Sequence, residues 1–115
     1  NNHIPKLNSH SNKINLINKL NDLRKCKNNS LVIANWSLSE FPLSFRNKFF
    51  PIIKKSKYTI ISFQKNFEKI DNYNFFIKKI NKLGSKFVTK IDTFDYYNKS
   101  FLNKNKHYIL TICKK

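Results

Sequence analysis

The four residues Leu31-Val32-Ile33-Ala34 constrain this chain most, because they form a continuous apolar run that stops abruptly at the polar stretch 35–42. A half-exposed strand alternates apolar and polar residues; an unbroken run suits a strand covered on both faces, as in a parallel sheet. The downstream segments are patterned as clearly. Phe45, Phe49, Ile52 and Ile53 give residues 43–55 a helical stripe, with Pro51 expected to kink or shorten the helix. Residues 58–63 are β-branched and aromatic and read as a strand. A loop with Gln64 and Asn66 leads to a helix over 73–83, with stripe Tyr73, Phe76, Ile77, Ile80 and Leu83. Gly84 stands where a helix-ending glycine belongs. Residues 87–93 alternate as a strand, 95–106 form a polar connection, and 107–113 read as a final strand.

Alternating strand and helix predicts an α/β fold, with parallel strands joined by right-handed helical crossovers. The last two strands have no helix between them and can pair antiparallel. Upstream, residues 1–13 are polar and patternless, Ile14, Leu16, Ile17, Leu20 and Leu23 mark a helix, and 27–30 a turn. The chain thus divides into a leader and helix over 1–30 and an α/β unit over 31–115. Four strands with an open edge make a weak independent sheet. The first strand is therefore expected to pair with strands outside the chain. It begins at Asn1 and contains no Met, so we expect the C-terminal portion of a larger domain.

The net charge of +17 suggests a nucleic-acid binder. Composition offers a simpler cause. The chain has 21 Lys but 2 Arg, 18 Asn and 14 Ile, with 1 Gly and 3 Pro, which is what AT-rich codons give. Bidentate phosphate recognition favours Arg, and the lysines are scattered. A solvated basic surface is the preferred reading, and nucleic acid is not the expected partner. Cys26 and Cys113 form no CxxC pair, and with His3, His10 and His107 they make no metal pattern. Reduced thiols in a cytoplasmic protein are the simple reading. No apolar run approaches the ~18–20 residues that span a bilayer.

In open parallel sheets, ligands bind beyond the carboxyl ends of strands. Two adjacent strand ends are polar here: Asn35-Trp36-Ser37-Leu38-Ser39-Glu40, and Ser62-Phe63-Gln64-Lys65-Asn66. Amides, hydroxyls, an indole and one carboxylate suit a polyhydroxylated ligand. Glu40 can deprotonate a hydroxyl if burial raises its pKa. A structural reading stands beside this one. Ser39 and Glu40 can cap the following helix, Trp36 can be a packed aromatic, and His107 a structural residue at a strand start. No GxGxxG or P-loop is present.

The segment LVIANWSLSEFP resembles the fourth-strand region of class I S-adenosylmethionine-dependent methyltransferases, most closely the bacterial sugar O-methyltransferases. Val32, Ile33, Asn35, Trp36, Ser37, Leu38, Ser39 and Glu40 carry the likeness, and the downstream element order fits as far as Lys115. The resemblance implies the C-terminal half of a seven-stranded Rossmann-like sheet. In it, residues 58–63, 87–93 and 107–113 stand for the fifth, sixth and seventh strands, the seventh antiparallel and lying between the other two. It also implies S-adenosylmethionine as cofactor, held mainly by strands this chain lacks, and a sugar hydroxyl as acceptor. Asn35 and Trp36 would then touch the cofactor, Ser37, Ser39, Gln64 and Asn66 the acceptor, and Glu40 would act as base. Alignment supplies up to ~7–11 kcal/mol in such a displacement, and a general base ~10²–10⁴-fold in rate. A basic nucleic-acid-binding module and an inactive truncated domain remain the competing expectations.

Overall fold

A computed structural model describes residues 30–94 and 106–115. The leader, the helix expected at its end, Cys26, His3, His10 and most of the 95–106 connection lie outside the described residues.

The described chain is α/β. Strand β1 (Leu31–Asn35) leads through a single 3-10 turn (Leu38–Glu40) into helix α1 (Leu43–Lys55), then β2 (Tyr58–Gln64). A small hairpin of β3 (Asn66–Phe67) and β4 (Ile70–Asp71) precedes helix α2 (Asn72–Asn81). Strands β5 (Phe87–Phe94) and β6 (His107–Lys114) complete the fold. The main sheet has the order β1-β2-β6-β5. β1 and β2 pair in parallel, with Leu31 opposite Tyr58 and Asn35 opposite Ser62. β6 is antiparallel to both β2 and β5, so β5 runs in the direction of β1 and β2.

Side chains alternate across a strand, and one face of this sheet carries the core. Ala34, Ile61, Phe63, Leu110 and Ile112 pack there against Phe50 and Ile53 of α1 and Phe76 and Leu83 near α2. Each such buried Ile, Leu or Phe contributes about 1.5–3 kcal/mol. Both helices therefore lie on the same side. On the other face, Leu31 is 55% and Ile33 60% exposed. Among the described residues β1 is the edge strand, and none of them packs on its second face.

Local chemistry explains the helix ends. α2 starts at Asp71, whose carboxylate accepts from the Asn74 N–H at 3.0 Å, a favoured cap. Gly84, with φ +86°, turns the chain after α2. α1 runs through Pro51 to Lys55 instead of stopping. Pro51 and Asn47 are on the exposed side, so the Asn47 carbonyl that proline cannot satisfy faces solvent. The α1 core stripe is rotated from the expected one. Arg46, Phe50, Ile52 and Ile53 are buried, while Phe45 and Phe49 are half-buried. Among the described residues no helix is long and apolar enough to cross a membrane.

Candidate functional site

The turn after β1 is set by Trp36, which has φ +62°. Left-handed backbone costs a non-glycine residue roughly 1–2 kcal/mol, and a bulky one is rarely found there. Two bonds hold it. The Trp36 N–H donates to the Ser62 carbonyl at 2.9 Å, and the Ser39 hydroxyl donates to the Trp36 carbonyl at 2.8 Å. The indole then stands edge-on to His107, with ring centroids 5.0 Å apart.

His107 is there because of topology. β6 runs against β2, so its first residue pairs with the last residue of β2, Gln64. Asn35 pairs with Ser62 in the same way, and the Ser62 hydroxyl donates to Asn35 Oδ1 at 2.7 Å. Alternation puts Asn35, Ser62, Gln64 and His107 on one face at the carboxyl edge, the face that the helices leave open.

A second feature lies on the helix side of the same edge. Glu40 and Phe41 line an open groove of about 450 Å³, with Leu43 of α1 and Phe67, Glu68 and Ile70 of the β3–β4 hairpin. Glu68 has φ +53° at the hairpin tip. Beneath it, Arg46 is fully buried. Its Nε donates to the Phe41 carbonyl at 2.8 Å, one terminal nitrogen to Asn72 Oδ1 at 2.7 Å, and the other to the Ser39 carbonyl. The Asn72 amide in turn donates to the Gln64 carbonyl at 2.9 Å. One guanidinium thus ties the turn after β1 to the end of β2. Burial pulls the Arg46 pKa down from its usual value.

The residues read from sequence are therefore divided. Asn35, Trp36 and Gln64 share the open-face edge, while Glu40 lines the groove with Glu68. Ser37 is exposed on the turn. Ser39 is fully buried and its hydroxyl is engaged by Trp36; it shapes the turn and is not presented to a ligand. Nor do Ser39 and Glu40 cap α1, whose N-cap is Pro42 without a side-chain bond. Asn66 lies in β3, paired with Asp71. Sequence reasoning passed over Arg46, Asn72, Glu68 and the part His107 plays. The signal for Arg46 was present: with Phe50 and Ile53 it falls at i, i+4 and i+7, one helix face.

Among the described residues no three His, Cys, Asp or Glu side chains come together as a metal site. A nucleoside cofactor needs a close backbone approach, usually over glycine, and a carboxylate for its ribose. The sole glycine, Gly84, precedes β5 and so lies at the opposite edge of the sheet, and the open-face cluster contains no carboxylate. These residues do not fit S-adenosylmethionine by themselves. Comparison with family models, characterised proteins and solved structures finds no match.

Proposed function

We propose that the described unit is the acceptor-binding side of a Rossmann-like, S-adenosylmethionine-dependent O-methyltransferase that acts on a sugar hydroxyl. The observation that carries this reading is the strand order. β1-β2-β6-β5, with β6 antiparallel and inserted between β2 and β5, is the order that the sequence resemblance implies for its fourth, fifth, seventh and sixth strands. The residues at the carboxyl edge support the acceptor side: Asn35, Ser37, Ser62 and Gln64 offer hydroxyl-binding groups, and Trp36 an apolar plate. The cofactor's cradle is not among them and has to come from outside the described residues. Glu40 lines the groove on the helix side of the same edge, and is proposed as the orienting group or base only for an acceptor that spans the turn from the open face into that groove.

The test is transfer of a labelled methyl group from S-adenosylmethionine to a panel of sugars and cell polysaccharides by the protein as its cell produces it. Label in sugar is the expected result. No transfer, with no change in thermal stability on adding the cofactor, sinks the reading. Separately, unchanged turnover across pH in Glu40→Gln removes the base role.

A further inference from the structure

We propose that His107 is the ionisable group of the open-face edge, and that as a neutral imidazole it accepts a hydrogen bond from a sugar hydroxyl held across Asn35, Ser62 and Gln64. This rests on the sugar-acceptor reading and names a residue and a regulation that reading lacks. Three independent observations support it.

Topology comes first. An antiparallel strand inserted among parallel ones delivers its first residue, His107, to the carboxyl edge where ligands bind in open sheets. Strain comes second. Trp36 adopts φ +62°, pinned by Ser62 and Ser39, and the outcome is an indole set against the imidazole. Observed backbone outliers of this kind cluster at ligand clamps. Chemistry comes third. The exposed Asn35–Ser62 pair and Gln64 share the face of His107, so amide, hydroxyl and imidazole converge on one patch, with Trp36 as its wall.

The charged surroundings among the described residues are few. Lys106 precedes His107, and its carbonyl accepts from the Lys65 N–H at 2.7 Å. The Lys65 ammonium is 3.4 Å from Asp71. On β5, Asp92 lies two residues before the partner of His107 and is 3.6 Å from the Lys90 ammonium. Both carboxylates are thus already matched to cations other than the imidazole. A neutral imidazole has one acceptor nitrogen, and protonation removes it.

The experiment is NMR of the full chain, following the three imidazoles while methyl α-glucopyranoside or methyl α-rhamnopyranoside is added. The His107 ring signals should move and those of His3 and His10 should not. Apparent affinity follows the neutral fraction, so binding should weaken over the pH range in which the His107 ring signals themselves report protonation. His107→Gln keeps an acceptor and cannot titrate; its binding should not depend on pH in this range. Unmoved His107 signals with both glycosides overturn the proposal, and so does a pH dependence that survives in His107→Gln. If that variant fails to fold, the parent titration still decides. Glycoside-dependent His107 shifts without methyl transfer would keep this inference and remove the transferase reading. Transfer with an unmoved imidazole would do the reverse.

Discussion

Replacing Arg46 by Met tests the central tie of the fold. Methionine fills much of the arginine stem, so the main loss is of donors, not volume. Two acceptors, the Ser39 carbonyl and Asn72 Oδ1, are bonded by Arg46 within buried surroundings. A buried acceptor left without a donor costs about 1–3 kcal/mol, which gives about 2–6 kcal/mol for the pair. Opposing this, the guanidinium meets neutral oxygens and the Phe75 ring, at 5.1 Å from its centroid, and makes no carboxylate pair among the described residues. Removing a desolvated cation therefore recovers part of the loss, and the net cost should be about 2–4 kcal/mol. With a urea slope of about 2 kcal/mol/M for a small domain, the unfolding midpoint should fall by about 1–2 M at unchanged slope. Arg46→Lys should also destabilise, because an ammonium cannot reproduce the planar fork. Asn72→Ala in both backgrounds completes a cycle, and the coupling should be about 0.5–3 kcal/mol. If Arg46→Met lies within about 0.5 kcal/mol of the parent, or the coupling is zero, the guanidinium does not hold the two turns together.

Asp71→Ala removes the α2 cap and should cost about 0.5–2 kcal/mol by urea unfolding. The Asn74 N–H first, and the Lys65 ammonium after it, hold the Asp71 carboxyl below its ordinary value against an opposing push from burial. A depressed carboxylate stabilises above its unfolded pKa of about 3.9 and loses that contribution as pH falls through the folded value. Asp71→Asn should therefore flatten the stability curve on the acid side of about pH 4, seen as a smaller loss of Tm on acidification. Thr59 Oγ1 is buried with no hydrogen-bond partner, so Thr59→Val should be neutral or stabilising by up to about 1 kcal/mol; a destabilisation of that size in urea unfolding would mean the hydroxyl is satisfied. A Cβ added at Gly84 meets nothing within 4 Å, so Gly84→Ala should cost only the left-handed backbone term, about 1 kcal/mol, measured as a Tm shift. A much larger shift would show an unseen clash.

The main elements were legible because each has a clear period. The runs and stripes in 31–34, 43–55, 58–63, 73–83, 87–93 and 107–113 mark strands and helices within a residue or two of the observed bounds. The β3–β4 hairpin was not legible, since two-residue strands have no period to read. The rotated α1 stripe has a simple cause. Phe45 and Phe49 are as apolar as Phe50, and only the sheet decides which side of the helix is inward. Arg46 is charged yet sits at the core spacing, and its burial depends on acceptors from two distant turns. The two polar stretches are expected to share one cleft because they end adjacent strands. Whether neighbours on a turn face the same way depends on backbone dihedrals, which residue spacing does not encode.

Trp36 is where fold and site meet. A glycine there would accept φ +62° freely, whereas tryptophan carries roughly 1–2 kcal/mol of strain. The turn itself does not need the indole, because the bonds that hold it use the Trp36 N–H and carbonyl and the Ser39 hydroxyl. Nor does the ring fill the main core, which is made by Ala34, Ile61, Phe63, Leu110 and their helix partners. What the indole does is stand half-buried against His107, beside Asn35 and Ser62. A strained position with a large side chain, outside the core and on the edge where strands end, is better explained by what that side chain can hold than by what it packs. The same dihedral turns the chain so that Glu40 enters the groove on the helix side. One residue thus separates the two chemistries of this edge: carboxylates toward the helices, amides and imidazole toward the open face.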